Sequence, residues 1–399
     1  MVNTHSRSLL RLRGQHDSGK VSMVELFFDL VFVFAVTQLS HGLLERLTPL
    51  GALQTLLLFM AVWWLWIFTS WVTNWLDPER IPVRIMLLAL MLGGLLLSSS
   101  IPEAFAGKGW IFGCVFAAMQ VGRTAFMLRT LHRERPAQRR NFLRVLIWLL
   151  VSAALWVCGG FAEGDARMTL WLAAIAVEYV SPSVSFWVPG LGRSSTTDWD
   201  IDGGHLAERC GLFVIIALGE SILVTGATFA GLPLSAETSL AFLVAFVGSV
   251  AMWWVYFDTA AERASQRIAH SDDPGRIARL AYTYLHLLII AGIIVCAVAD
   301  EIVLVHPGHA ESMGIAVILA GPALYLLGNA LFKWTSNDRK LPPLSHLCGL
   351  LLLAAITPFA FAHHLSALAL GAYTTAVMVV VAAWESIALR RVPVAHDKA

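Results

Sequence analysis

Long apolar runs alternate with short polar or basic segments along the whole chain. Each run comes close to the ~20 apolar residues that an α-helix needs to cross the hydrocarbon of a bilayer. Twelve such runs lie near residues 24–44, 52–75, 83–101, 109–131, 142–162, 167–189, 205–230, 237–260, 279–304, 312–333, 344–362 and 365–389. The pattern predicts an all-α polytopic membrane protein with about twelve transmembrane helices.

Composition supports this class. Hydrophobic residues make up 57% of the chain and charged residues 14%, whereas roughly a quarter of an average soluble chain is charged. The expected surrounding partner is therefore the lipid bilayer. The near balance of 28 basic and 27 acidic residues gives no charge excess of the kind that indicates a nucleic-acid partner.

The short motifs of several enzyme classes are missing from the sequence. It contains no Walker loop, no GxGxxG fingerprint, no GxSxG and no HExxH. Its five cysteines stand singly, without the CxxC spacing of a zinc or redox site. We therefore expect no cofactor, no metal and no catalytic residue, and neither an ATP-driven pump nor a serine hydrolase.

The distribution of basic residues predicts the orientation. Lys and Arg are retained on the cytoplasmic side of membrane proteins. If the first of twelve spans starts inside, 24 of the 28 basic residues fall in inner segments. The basic segment 1–23 also lacks the apolar core and cleavage site of a signal peptide. We predict that both termini lie in the cytoplasm.

A weak internal repeat divides the chain. "WWLWIFT" from Trp63 returns as "WWVYFDT" from Trp253, and "FVFAVTQLS" from Phe32 lies over "FVIIALGES" from Phe213. Six spans per half would give two repeats in the same orientation, as in some transporters. The predicted divisions are a cytoplasmic tail 1–23, repeats 24–190 and 205–390, a cytoplasmic linker 191–204 and a tail 391–399.

Two acidic residues open the first span, although an ionisable side chain inside the hydrocarbon costs at least a few kcal/mol. Glu25 and Asp29 are four residues apart and share one helical face. Arg123, in the fourth span, lies at a comparable depth. We predict an ion pair between Asp29 and Arg123, with Glu25 closer to the interfacial water. This pair either serves function or only holds two helices together.

A second polar series runs along the seventh span. His205 and Glu208 are three residues apart, and Glu220 follows roughly 18 Å further along the helix. Polar side chains at successive depths suit a path for protons or a cation. Alternatively, His205, Glu208 and Arg209 cap the helix at the interface, as we expect for Arg209, and only Glu220 is intramembrane. Other intramembrane polar residues are Glu178, Asp258 and His286.

"VELFFDLVFVFAVTQLSHGLLE" and "HLAERCGLFVIIALGESILVTG" resemble the bacterial low temperature requirement A (LtrA) family over nearly the whole chain. The resemblance implies a bacterial inner-membrane protein and carries the family's motifs onto Glu25, Phe28, Asp29, His205, Glu208, Arg209, Gly219 and Glu220. The family's aromatic residue after the Glu-Arg pair is replaced here by Cys210.

A more distant likeness concerns "FFDLVFVFAVT". It is similar to the first-helix signature of the endolysosomal and bacterial potassium channels that read Phe-Ser-Asp, with Phe28 in place of the serine. Those channels are built from six-helix units whose first helices line the pore. The likeness implies that the first and seventh spans line a path faced by Gln38 and Glu220.

These observations favour a channel or secondary transporter for a cation or protons, with Glu220 as the titratable site and Gln38 opposite it. A second hypothesis is an intramembrane enzyme in which His205, Glu208, Asp258 and His286 gather as acid-base groups or metal ligands. A third is a transporter of a small organic solute. A homo-oligomer is compatible with each of the three.

Overall fold

The computed structural model describes residues 8–11, 20–131, 135–195, 201–258, 277–336, 341–362 and 364–390. The described residues contain twelve α-helices: α1 (Met23–Glu45), α2 (Pro49–Trp75), α3 (Ile81–Ser100), α4 (Gly109–Thr130), α5 (Pro136–Phe161), α6 (Gly164–Val180), α7 (Gly203–Ala230), α8 (Ala236–Phe257), α9 (His286–Val305), α10 (Ser312–Ser336), α11 (Leu344–Phe361) and α12 (Ala367–Arg390). A 3₁₀ turn, Ile101–Glu103, follows α3, and a π-helical segment, Arg279–Leu285, leads into α9.

Eleven of these helices are long and apolar enough to cross a membrane, when α9 is counted with the π-helical segment before it. The remaining helix in the described part of the chain, α6, has 17 residues. The predicted fold class, an all-α polytopic membrane protein, is confirmed.

The sixth helix ends earlier than predicted. We expected a span over residues 167–189, but α6 stops at Val180. Pro182 follows two residues later, and a proline lacks the N–H that a helix needs and disfavours helical backbone in the residue before it. The chain then makes a compact turn in which Phe186 adopts a positive φ of 47° and packs on α5.

The described residues form two compact units. The first contains α1 to α6, the part of α7 up to Leu212, and residues 277–279. In it α1 packs on α2 and α3, while α4 packs on α3 and α5, and α5 on α6. Its core is rich in tryptophan, because Trp63, Trp64, Trp66, Trp156 and Trp171 are each 1% exposed or less.

The second unit contains α7 from Phe213, α8, the π-helical segment from Leu280 and α9 to α12. Its tightest contact joins α9 and α10 through glycines, which allow helices in membranes to approach closely. A Cβ on Gly292 would lie 2.5 Å from the backbone nitrogen of Tyr325, and one on Gly321 would lie 2.8 Å from that of Cys296. Both positions therefore require glycine.

Several helix pairs recur between the units. Helices α3 and α4, α4 and α5, α5 and α6, α2 and α4, and α2 and α6 pack together in the first unit, and the pairs six helices later do so in the second. This correspondence is compatible with the expected repeat, which stays a prediction. The compact units divide inside α7, after Leu212. Residues 196–200 of the expected linker, most of the N-terminal tail and the tail 391–399 lie outside the described residues.

Candidate functional site: a buried charge cluster and the polar face of α7

Glu25 lies at the start of α1, and both oxygens of its carboxylate accept hydrogen bonds. Ser22 caps the helix, and its N–H and hydroxyl donate to Oε2 of Glu25 at 3.0 and 2.9 Å. Nη2 of Arg11 donates to the same oxygen at 2.9 Å. The other oxygen, Oε1, accepts from Nε2 of His205 at 2.9 Å and lies 3.3 Å from Nη1 of Arg209. Glu25 thus joins the N-terminal segment, α1 and α7.

One turn further along α1, only one of the two carboxylate oxygens of Asp29 accepts hydrogen bonds from described residues. Its Oδ1 accepts from Nη2 of Arg209 and from Nε1 of Trp66, each at 2.7 Å. Its Oδ2 is buried and has no hydrogen-bond partner among the described residues. The guanidinium of Arg209 also lies against the rings of Phe28 and Trp66, at 5.9 and 5.7 Å from the ring centroids, a cation–π arrangement.

The predicted ion pair between Asp29 and Arg123 is wrong, because the partner of Asp29 is Arg209. Arg123 instead donates from Nη1 to the hydroxyl of Thr69 at 2.9 Å and from Nη2 to Oε1 of Gln120. Similar depth was the basis of the prediction, but depth does not determine which of the neighbouring helices a side chain faces.

The hydrogen bonds of His205 indicate its tautomer. The Asp202 N–H donates to Oδ1 of Asn74 at 2.8 Å, which fixes the side-chain amide, so Nδ2 of Asn74 faces Nδ1 of His205 at 3.3 Å. Nδ1 is therefore an acceptor, and the ring proton sits on Nε2, which donates to Glu25. Nη2 of Arg11 lies 3.1 Å from Nε2 as a second donor to the same carboxylate. With His205 neutral, two cations and two carboxylates balance in the α1–α7 charge cluster, which we define as Arg11, Glu25, Asp29, His205 and Arg209.

The start of α7 differs from the expected series of interfacial caps. Arg209 is completely buried within the charge cluster, so the expectation that it caps the helix is wrong. Glu208 is exposed and accepts a hydrogen bond from the Val21 N–H at 3.1 Å, whereas His205 is buried and donates to Glu25. That His205 and Glu208 are consecutive members of one path stays a prediction.

Further along α7, in the second unit, three buried polar side chains follow one another: Glu220, Ser221 and Thr225. Glu220 is 4% exposed and makes no hydrogen bond or ion pair with any residue that the structure describes. The hydroxyls of Ser221 and Thr225 likewise have no partner there. This stretch, which we call the α7 polar face, combines a carboxylate and two hydroxyls that have no partner among the described residues.

A second buried network in the first unit surrounds Glu178. Its Oε1 accepts from the Ser152 hydroxyl at 2.5 Å and from Nε1 of Trp156 at 3.2 Å, and its Oε2 accepts from Nε2 of Gln120 at 3.2 Å. Because Gln120 also accepts from Arg123, its amide bridges the two charges. The network connects α2, α4, α5 and α6 and is well satisfied, which favours a packing role.

Gln38 lies beside a small cavity in the first unit. Its side chain is partly buried, and the cavity, of about 20 Å³, is also lined by Arg46 and Gln54. This is room for about one water molecule. The expectation that Gln38 faces Glu220 across a path stays a prediction.

The residues of the enzyme hypothesis are engaged in other contacts. Nδ1 of His286 faces the Ala281 carbonyl at 2.8 Å and must carry the proton, so Nε2 accepts from the Tyr256 hydroxyl at 2.8 Å. Asp258 is exposed and accepts from the Ser386 hydroxyl at 2.5 Å. Among the described residues, no three His, Cys, Asp or Glu side chains form a group able to hold a metal.

Arg11, Asn74 and Gln120 belong to these networks but were not among the predicted site residues. Arg11 was counted only as a basic residue of the N-terminal tail, whereas its N–H donates a hydrogen bond to the Trp75 carbonyl of α2 at 2.8 Å. Asn74 and Gln120 are uncharged, but each is an amide inside an otherwise apolar run. A polar amide inside an apolar run is the feature of the sequence that could have identified them.

Comparisons with known proteins agree with this architecture. A sequence model described as "Bacterial low temperature requirement A protein (LtrA)" matches residues 20–383. The chain is also 41% identical over 376 residues to a protein of Rhizobium meliloti (strain 1021) named "Uncharacterized protein RA0937", covering 94% of this chain and 91% of that one. No solved structure matches.

Proposed function

The chain belongs to the bacterial low temperature requirement A (LtrA) family, and we propose that it moves protons or a small cation across the bacterial inner membrane, as a channel or secondary transporter. In this proposal Glu220, on α7, is the carboxylate that binds the ion, and Gln38, on α1, is a further residue of the path. One observation carries the proposal: Glu220 is buried in an apolar helix without a partner among the described residues.

A buried carboxylate without a partner is costly. Taking an ionised carboxylate out of water costs several kcal/mol even after the protein relaxes, and inside membranes such residues usually mark paths for ions or protons. Glu220 lowers this cost if it binds a proton or a cation, or if water reaches it along a path. Each of these conditions belongs to an ion-conducting function.

The hydroxyls of the α7 polar face extend the same argument. Ser221 and Thr225 are buried and have no hydrogen-bond partner in the part of the chain that the structure describes, although a serine or threonine in a helix readily donates to the carbonyl four residues before it. Hydroxyl oxygens are suitable temporary ligands for a dehydrated cation or for water that carries a proton. Together with Glu220 they supply polar groups over more than one helical turn.

The charge cluster has a different role in this proposal. Its two cations and two carboxylates balance, and four of its five side chains are completely buried. It ties the start of α7 to the start of α1 and thereby holds the beginnings of both path helices. We regard it as the positioning element and not as the conducting one.

The alternatives have weaker support. Both ring nitrogens of His205 and of His286 are engaged by neighbouring groups, so neither imidazole offers a free nitrogen to a metal or a substrate. A solute transporter needs a cavity of several hundred Å³ with a few polar groups that orient the solute. The cavity beside Gln38 is far smaller, and a cavity of about 470 Å³ between α8 and α12 is lined almost entirely by apolar side chains.

Ion flux into liposomes tests the proposal. Purified protein is reconstituted, and a proton gradient and a potassium gradient are imposed in separate experiments, with a pH-sensitive dye as the readout. Protein-free liposomes give the leak, and an ionophore gives the full signal. We expect a flux above the leak in at least one arm. Leak-level signals in both arms would contradict the proposal.

A further inference from the structure

An acidic residue of α9 lines a small cavity in the second unit, away from the α7 polar face. The cavity has a volume of about 30 Å³ and lies among α8, α9, α10 and α12. Asp300 is partly buried and lines it, and its carboxylate makes no hydrogen bond or ion pair with any described residue. When ionised, this carboxylate has no ion-pair partner among the described residues.

Oxygen atoms from two other helices surround the same space. Thr374 and Thr375 of α12 line the cavity. The Thr374 hydroxyl donates its proton to the Gly371 carbonyl at 3.0 Å, which leaves the lone pairs of its oxygen available. The Thr375 hydroxyl has only a long hydrogen bond, 3.4 Å, to the Val244 carbonyl. Both hydroxyls are therefore able to bind a cation.

A proline within α10 leaves a further oxygen without its helical donor. Pro322 lies inside the continuous helix α10, and because proline has no N–H, the carbonyl of Ile318, four residues earlier, loses its helical donor. Ile318 and Pro322 both line the cavity. Backbone carbonyls without a helical donor also coordinate sodium ions in membrane transporters.

We propose that this cavity binds one small monovalent cation of about the size of sodium, held by Asp300, the two threonine hydroxyls and the released Ile318 carbonyl. Oxygen ligands suit alkali and alkaline-earth ions. A single charge neutralises the one carboxylate, whereas a divalent ion would leave an excess positive charge in apolar surroundings. Cys296, Met252 and Met378 also line the cavity, and their side chains act as apolar packing groups.

The volume is consistent with this occupant. A cavity of about 30 Å³ has room for one or two particles of the size of water. A dehydrated sodium ion, with or without one water molecule, fits this space, and an organic solute does not. Gly248 helps to keep this cavity open, because a Cβ at this position would lie 3.2 Å from the Thr375 hydroxyl oxygen.

Equilibrium binding of radioactive sodium to the purified full-length protein in detergent tests this inference. We expect about one sodium ion per chain, displaced by unlabelled sodium but not by choline, and only weakly by potassium. Asp300→Asn should weaken binding at least ~10-fold, because the carboxylate provides the main attraction for a cation in a cavity of low polarity. The matched control, Asp258→Asn, changes an exposed aspartate of the same unit and should bind like the unmodified protein.

A second pair of variants keeps the test decisive if Asp300→Asn is poorly folded. Thr374→Ser retains the hydroxyl and should retain sodium, whereas Thr374→Val has nearly the same shape without the oxygen and should lose affinity. Sodium binding at the level of protein-free micelles, equal binding by Asp300→Asn, or equal competition by potassium would overturn the proposal.

The binding assay does not depend on transport. Glu220→Gln should bind sodium as the unmodified protein does, because Glu220 does not line this cavity. A failure of sodium binding in a protein that supports flux would refute the Asp300 site alone. Sodium binding in a protein that supports no flux would refute the transport proposal alone.

Discussion

Nη2 of Arg209, on α7, lies 2.7 Å from Oδ1 of Asp29, on α1, and both side chains are completely buried. The same Oδ1 accepts from Trp66, while no described residue donates a hydrogen bond to Oδ2. Arg209 is therefore the main compensation for a carboxylate inside an apolar helix. The contact also explains why the two longest sequence motifs of the chain, which open α1 and α7, contain acidic and basic residues at these positions.

Removing the guanidinium should be strongly destabilising. Arg209→Met leaves Asp29 and part of Glu25 uncompensated, and breaking a buried pair from one side costs about 3–5 kcal/mol. The measurement is the thermal unfolding of the purified protein in detergent. The control is Arg84→Met, which removes an exposed pair with Glu79 and should change the free energy of unfolding by less than ~1 kcal/mol. An equal loss in both variants would contradict the assigned pairing. Arg209→Met combined with Asp29→Asn should recover part of the loss.

The contact between α9 and α10 should tolerate no side chain at Gly292. A methyl group there would lie 2.5 Å from the Tyr325 nitrogen and 2.7 Å from its Cα, so the backbones must separate. Overpacking of this kind costs about 1–3 kcal/mol. The control is Gly122→Ala, where an added Cβ meets nothing within 4 Å and the higher helix propensity of alanine should be neutral or favourable. Equal unfolding temperatures for the two variants would show that the helices are not packed this closely.

The N-terminal segment should be anchored by Arg11. Its Nε donates to the carbonyls of Thr73 and Leu76 at 3.0 and 3.1 Å, and the Leu9 carbonyl accepts from the Asp77 N–H at 2.9 Å. Arg11→Ala removes these side-chain bonds together with the pair to Glu25. We expect faster hydrogen exchange at the Asp77 amide, measured by mass spectrometry, and unchanged exchange in the middle of α2. Unchanged exchange at Asp77 would contradict an anchoring role.

The orientation is testable with reporter fusions. A fluorescent protein that folds only in the cytoplasm should be bright when fused after residue 399, whereas alkaline phosphatase, which needs the periplasm, should be inactive there. Fusions in the loop between α1 and α2 should behave in the opposite way, because a single span separates this loop from the N-terminus. An active phosphatase at the C-terminus would reverse the predicted orientation or change the number of spans.

The helices were more predictable than the side-chain pairs. Most of the twelve predicted runs end within a few residues of the helices, because apolar length is a local property of the sequence. The sixth run was overestimated, since the apolar residues among 181–189 were counted as helix although two prolines, Pro182 and Pro189, and three serines interrupt them. The partner of Asp29 was mistaken because both Arg123 and Arg209 were available, and a single sequence does not tell which helices are neighbours.

Asp300 is a candidate site residue that the sequence analysis left out. It was absent from the predicted polar set because it lies near the end of the ninth run, where a carboxylate is usually solvated. The structure places it one turn before the end of α9, beside a cavity whose walls come from four helices. Only the packing of residues distant in the sequence produces that cavity, so no local pattern predicts it.

Ion flux with a substitution at Glu220 tests whether this carboxylate binds the transported ion. Unmodified protein, Glu220→Gln and the exposed-site control Glu237→Gln are reconstituted at equal density in liposomes under a proton or a potassium gradient. We expect Glu220→Gln to abolish the flux or to remove its pH dependence, and Glu237→Gln to leave it unchanged. An unaltered, equally pH-dependent flux in folded Glu220→Gln would exclude Glu220 as the ion-binding residue.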